Sequence, residues 1–400
     1  MSADGGVARP VRLPKAASLV AGMTQAAWLS AEGEIELLPL AEAAQRARSA
    51  PPLVCHARAT ARRLGVAPFA SFDVLELFAF ARPARFCVPT PRGIAVALDL
   101  GVPEGGDLAG AAASLRDGAR ALLGELQMLP GDGEVRAIAE AMAKGGWPWA
   151  EAVLAALAPV SSGDAPAPAG LAVWNRLGEW AEHAPESPPG NFPVSEDEAR
   201  QRLAELVGDR AEPRPQQADY AGACAYAFAP RDSADAPRVL LAEAGTGVGK
   251  TLGYIAPASV WAEKNAGAVW ISTFTRNLQH QIAAELGRLY PDPAVKERRV
   301  VVRKGRENYL CLLNFEDSLG GLPMRPQDAA AAGLVARWVA TTRDGTATRR
   351  DAVRILRPAR AFRLRASGAV LRADAARHCG RARSWCAGGR RSRRRGRVPA

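Results

Sequence analysis

No stretch of this 400-residue chain is long and apolar enough to span a bilayer. The first two dozen residues lack the continuous apolar block of a secretory leader. The six cysteines (55, 87, 224, 311, 379 and 386) are scattered too widely for a disulfide framework. No internal repeat is present. These absences lead to the expectation of a soluble, cytoplasmic protein with no membrane partner. Acidic side chains are scarce in one place. From Arg349 to Ala400 there are 17 arginines, no lysine, and only Asp351 and Asp374 as acids, a net charge of +15. The whole chain carries +11, so the first 348 residues sum to −4. The basic balance belongs to the last segment, and a nucleic-acid role for the body must rest on motifs. A hydrophobic content of 48% is enough for sizeable cores in two or three domains.

Composition divides the chain. Residues 1–160 mix strand-like runs such as "GIAVALDL" (Gly93 to Leu100) with alanine-rich helical stretches, Ala109 to Leu126 and Glu151 to Ala158. Residues 161–194 read as a proline-rich linker with one short amphipathic segment. Ser195 and Glu198 form a capping box that starts a helix. A second unit, 195–348, alternates strand-like and helical runs, the signature of an α/β fold with a parallel sheet. Residues 349–400 cannot bury enough apolar surface to offset ordering entropy.

The second unit holds "LLAEAGTGVGKTLGYIAPA", Leu240 to Ala258. Gly245, Gly247 and Gly249, with Thr246 and Val248 between them, let the backbone curl its N–H groups around a phosphate chain. Lys250 brings a mobile charge to the β/γ-phosphates. The Thr251 hydroxyl suits one coordination position of Mg²⁺, and a helix starting here aims its dipole at the anion. An apolar run before the loop (Arg238 to Ala242) and helical periodicity after it supply the required strand–loop–helix order. The other reading of the loop is a glycine-rich turn with no ligand.

Three further motifs accompany the loop: "EPRPQQADY", "STFTRNLQHQI" and "RKGRENYLC". Over roughly Glu212 to Phe315 the series resembles the start of a superfamily 2 helicase of the DinG/XPD type, the iron–sulfur DNA helicases. The resemblance implies a RecA-like P-loop domain, ATP and Mg²⁺ as cofactors, and single-stranded or forked DNA as partner. It assigns Arg214 and Gln217 to adenine recognition, and Lys250 and Thr251 to MgATP. Thr273, Thr275, Gln279 and Gln281 would contact a DNA strand. The alternative for the two threonines is helix capping. Cys311 matches the first ligand of the family's [4Fe–4S] cluster. Such a cluster needs four cysteines, and downstream only Cys379 and Cys386 follow, so it is not expected to assemble here.

The N-terminal segment is similar to the middle of DEDD-type 3′–5′ exonuclease domains, with His56, Asp73 and Glu76 in matching positions. The opening Asp-x-Glu pair and a later His-x-x-x-x-Asp are missing. Two-metal hydrolysis needs clustered carboxylates, so a degenerate exonuclease-like α/β domain serving binding or architecture is expected. A second gap lies after the loop: the family's Asp-Glu-x-His, which holds metal and orients water, does not occur between Thr251 and Ala400. The Arg-rich end reads either as a basic arm for nucleic acid or as a change of reading frame in a GC-rich gene. Its onset inside the expected cluster segment favours the frame change. Together these gaps lead to the expectation of an incomplete helicase chain that binds ATP without unwinding DNA. A silent nucleotide- and DNA-binding module is the alternative.

Overall fold

The computed structural model describes residues 10–129, 133–157, 170–176, 188–208, 214–231, 233, 236–245, 247–303 and 310–342. The Arg-rich segment, Thr246, Cys379 and Cys386 lie outside them. Two compact units form, one from Met1–Glu182 with Lys304–Ala400, the other from His183–Arg303.

The first unit is α/β, built on a mixed sheet of order β3-β2-β1-β4-β5. Strands β1 (Ser18–Ala21), β2 (Gln25–Leu29) and β3 (Ile35–Pro39) form an antiparallel meander. β4 (Leu53–Val54) and β5 (Phe72–Asp73) add in parallel, Ser18 pairing with Leu53 and Val54 with Asp73. Helices α1 (Leu40–Ser49) and α2 (Ala57–Arg63) supply the crossovers. Helix α3 (Val74–Ala81) follows β5 directly and buries Val74, Leu75, Leu77, Phe78 and Phe80. A helix apolar on nearly every side belongs inside a core.

"GIAVALDL", expected as a strand, begins within helix α4 (Pro91–Ala97). Two local features override the apolar run. Pro91 sits at the first helical position, and the Thr90 hydroxyl accepts from Gly93 N–H at 3.0 Å. Ile94 and Leu98, four apart, then share the buried side. Helices α5 (Leu108–Gln127), α6 (Gly133–Lys144) and α7 (Ala150–Ala156) complete the alanine-rich part. α5 spans the expected Ala109 to Leu126 and packs on β1, β2, α3 and α4.

In the second unit α8 (Glu196–Val207) starts at the expected box. The Ser195 hydroxyl accepts from Glu198 N–H, and the Glu198 carboxylate accepts from Ser195 N–H at 2.8 Å. Helices α9 (Pro215–Ala225) and α10 (Lys250–Asn265) pack on α8 through Leu203, Ala221, Leu252 and Ala256. Gly253 permits the α9–α10 approach, because a Cβ there would lie 2.5 Å from the Tyr220 ring. Helices α11 (Arg276–Leu289) and α12 (Pro293–Arg299) follow.

The three runs expected as strands here, Arg238 to Ala242, Ala268 to Ser272 and Val300 to Val302, differ from expectation. None carries a strand ladder among the described residues, and Leu241 and Trp270 stand 93% and 73% exposed. A strand is stable only with a laddered neighbour, whereas each helix satisfies its own backbone. Helices α13 (Leu312–Gly320) and α14 (Ala329–Thr341) belong to the first unit, where α14 packs on α3 and α6.

Candidate functional site

The glycine loop ends in backbone that only glycine adopts without strain. Gly247 and Gly249 have φ of +87° and +85°, and α10 begins at the next residue, Lys250. A Cβ on Gly249 would lie 2.3 Å from the Gln217 amide nitrogen, whereas Gly245 and Gly247 face open space. The Lys250 ammonium folds back onto its own loop, donating to the carbonyls of Ala244 at 2.7 Å and Gly245 at 3.0 Å.

Helix α9 delivers the other two expected nucleotide residues to the same loop. Pro215 at its first turn fixes the chain entry, leaving Arg214 at the N-cap. The Arg214 guanidinium donates to Gly247 O at 3.2 Å, and the buried Gln217 amide donates to Gly249 O at 2.9 Å. Six of the residues singled out in sequence therefore converge: Arg214, Gln217, Gly245, Gly247, Gly249 and Lys250. Thr251 is buried at the start of α10 and hydrogen-bonds the Tyr254 phenol, a contact not foreseen although three-residue spacing on a helix allows it. Burial raises the Tyr254 pKa against the pull of that bond. Val248 sits between the two positive-φ glycines.

The residues assigned to the DNA strand divide. The Thr275 hydroxyl caps α11, accepting from Leu278 N–H at 3.2 Å. Capping is therefore its role in this geometry. The Thr273 hydroxyl oxygen is buried without a hydrogen-bond partner. Gln279 is partly buried and Gln281 exposed.

The cysteine assigned to a cluster sits elsewhere. Cys311 is buried at the N-terminus of α13, beside Leu310 and Phe315 in the first unit's core. Among the described residues no three His, Cys, Asp or Glu side chains come together in a way that could hold a metal. A [4Fe–4S] cluster needs four thiolates, so the described residues do not fit one.

In the first unit Asp73 is fully engaged by backbone. Its carboxylate accepts from His56 N–H at 2.9 Å, Ala57 N–H at 2.7 Å and Leu75 N–H at 3.0 Å. Burial pushes its pKa up while those three donors hold it down. His56 lies in the left-handed region at φ +61°, and its Nδ1 accepts from Ala59 N–H. Two tryptophans close the arrangement. Trp149 donates to the Asp73 carbonyl at 2.9 Å, and Trp147 donates to the Glu76 carboxylate at 3.1 Å. These partners come from "GGWPWA", a local signal that the metal-centred reading passed over.

Burial, then the Asp73 charge, raises the Glu76 pKa to about 7, opposed by the Trp147 bond and Arg58. A folded value above the unfolded one means that the native state holds the extra proton. The Glu76 contribution to stability is therefore fully present below about pH 4.5 and is lost as pH rises toward 7. Glu76→Gln should leave stability nearly unchanged at pH 4.5 and raise it by about 3 kcal/mol at pH 8. Urea midpoints of both proteins at the two pH values check this, and an equal difference at both would contradict it.

With this geometry in view, sequence comparison finds relatives at 33–39% identity over partial stretches. The 3′-5′ exonuclease DinG of Bacillus subtilis is 39% identical over 99 residues, 24% of this chain and 10% of that protein. The ATP-dependent DNA helicase YoaA of Haemophilus influenzae is 33% identical over 142 residues, 34% of this chain and 20% of that protein. The ATP-dependent helicase DinG of Mycobacterium tuberculosis is 33% identical over 121 residues, 29% of this chain and 17% of that protein.

The chain is related to the DinG-type helicases.

The matched stretches span a fifth or less of these relatives' own lengths. No family model matches the chain, and no solved structure does. Among the described residues, no helix is long and apolar enough to cross a membrane.

Proposed function

We propose that this chain binds MgATP on the Gly245–Thr251 loop and single-stranded or forked DNA beside it. It would be the first motor segment of a DinG-type ATP-dependent DNA helicase, binding nucleotide without appreciable turnover. The observation that carries this reading is the loop itself. Two positive-φ glycines and a folded-back lysine stand at the N-terminus of a 16-residue helix, where backbone N–H groups and the helix dipole favour a phosphate chain.

Each residue then has a task. Lys250 exchanges its carbonyl partners for phosphate oxygens, Thr251 offers a hydroxyl to Mg²⁺, and Arg214 and Gln217 link the loop to the adenine side. Mg²⁺ would supply charge neutralisation between the phosphates. Thr273, Gln279 and Gln281 remain the proposed DNA-side residues, with Thr275 holding the helix that presents the two glutamines. The proposed organisation keeps 1–160 as a degenerate exonuclease-like domain and 161–194 as a linker. It keeps 195–348 as a RecA-like ATP-binding stretch with the start of the cluster insertion, whose last helices, α13 and α14, pack in the first unit, and 349–400 as an appended basic segment. A cytoplasmic location accompanies it.

Binding without turnover rests on composition. The loop-side groups are present, but the sequence contains no Asp-Glu-x-His after them. A carboxylate pair is needed to place metal and water for phosphoryl transfer. Equilibrium titration with a fluorescent ATP analogue tests the reading. Saturable binding competed by MgATP is expected, and absence of binding at millimolar analogue would sink it.

A further inference from the structure

We propose that Phe274 and Trp270 form a base-stacking platform for single-stranded DNA, a grip on the bases beyond the phosphate contacts that the neighbouring motif implies. This rests on the DNA-binding reading given above.

Two observations set these rings apart. Phe274 is fully exposed although it lies between Thr273 and Thr275, in the bend that leads into α11. Trp270 is 73% exposed, and the Arg303 guanidinium lies 5.2 Å from its ring centroid. A cation over one part of an indole draws its guanidinium charge next to an aromatic surface, the combination that binds a stacked base and its phosphate together. The polar groups here offer less than the motif suggests. Thr275 is committed to capping, and the Thr273 oxygen is buried. Phe274 is the ring that the bend presents to solvent, and Trp270 stands exposed four residues before it.

Charge favours the same occupant. From Thr273 to Arg303 the sequence carries six basic and three acidic side chains, whereas the first 348 residues together are net acidic. Exposed rings next to a net basic stretch of sequence, one of them beside the Arg303 guanidinium, suit an unpaired polyanion with exposed base faces. In a duplex the bases are stacked on one another and their faces are covered.

The test compares a 12-mer of thymidine with an abasic 12-mer of the same sugar–phosphate backbone, at fixed salt, using the 400-residue chain. Residues 349–400 are the same in wild type and in both Phe274 variants, so their contribution cancels when the proteins are compared. Wild type should bind the thymidine oligomer at least about tenfold more tightly. Phe274→Ala should remove most of that preference while leaving abasic affinity and the thermal midpoint unchanged. Phe274→Tyr should keep the preference. Equal wild-type affinity for both oligomers overturns the platform and leaves DNA binding standing. A preference that survives in Phe274→Ala also overturns it. If neither oligomer binds, the DNA-binding reading falls and the platform with it.

Discussion

Lys250→Ala should weaken ATP binding at least about tenfold, equivalent to roughly 1.4 kcal/mol, with no change in thermal midpoint. The separation of the two effects follows from the contacts. In the nucleotide-free chain the ammonium bonds two loop carbonyls, Ala244 and Gly245, both close to solvent. Water replaces it there at small cost. With nucleotide bound, the same charge faces phosphate oxygens in partly buried surroundings, where a charge-assisted bond is worth about twice a neutral one. Titration of both proteins with a fluorescent ATP analogue checks the affinity, and a melting curve checks the fold. Equal affinities would remove the loop from the binding site.

Asp73→Ala should cost about 3 kcal/mol of unfolding free energy, the second large effect expected. Three backbone N–H groups, of His56, Ala57 and Leu75, lose their acceptor at once, and α3 loses its cap. The substitution also frees His56 from the arrangement that holds it in a left-handed conformation. A denaturant titration measures the loss. Stability within 0.5 kcal/mol or so of wild type would mean that Asp73 is not the clamp described, and a ligand-binding role for this carboxylate would regain weight. Set beside Glu76→Gln, the pair separates two carboxylates three residues apart. One is needed for the fold, and the other is tolerated at a cost once ionised.

The glycine loop was legible because its geometry is written in short-range terms. Gly247, Gly249 and Lys250 need only their own backbone and the start of α10. Arg214 and Gln217 were placed by motif order, and both reach the loop from α9. The α8 cap was equally local, since Ser195 and Glu198 satisfy each other across three residues. Long-range partners were less legible. Asp73 and Glu76 drew attention as carboxylates, but their roles depend on Trp149 and Trp147, more than seventy residues away. "GIAVALDL" failed for a different reason, because Thr90 and Pro91 set helical geometry that an apolar run does not reveal. The three strand-like runs of the second unit follow the same logic. Their sequence fits a ladder, and a ladder depends on neighbours that local pattern cannot supply. Thr275 shows the converse, a motif residue whose immediate task is structural.

Phosphate release by the purified 400-residue chain, at saturating ATP and Mg²⁺ and with single-stranded DNA present, tests the central claim most directly. In the proposed site the loop, Lys250 and Thr251 hold nucleotide, and the sequence has no Asp-Glu-x-His after the loop to orient water. The expected result is release at background level from a protein that binds the ATP analogue saturably, with no stimulation by DNA. DNA-stimulated release that disappears in Lys250→Ala would contradict the claim, because another carboxylate would then be positioning water for hydrolysis.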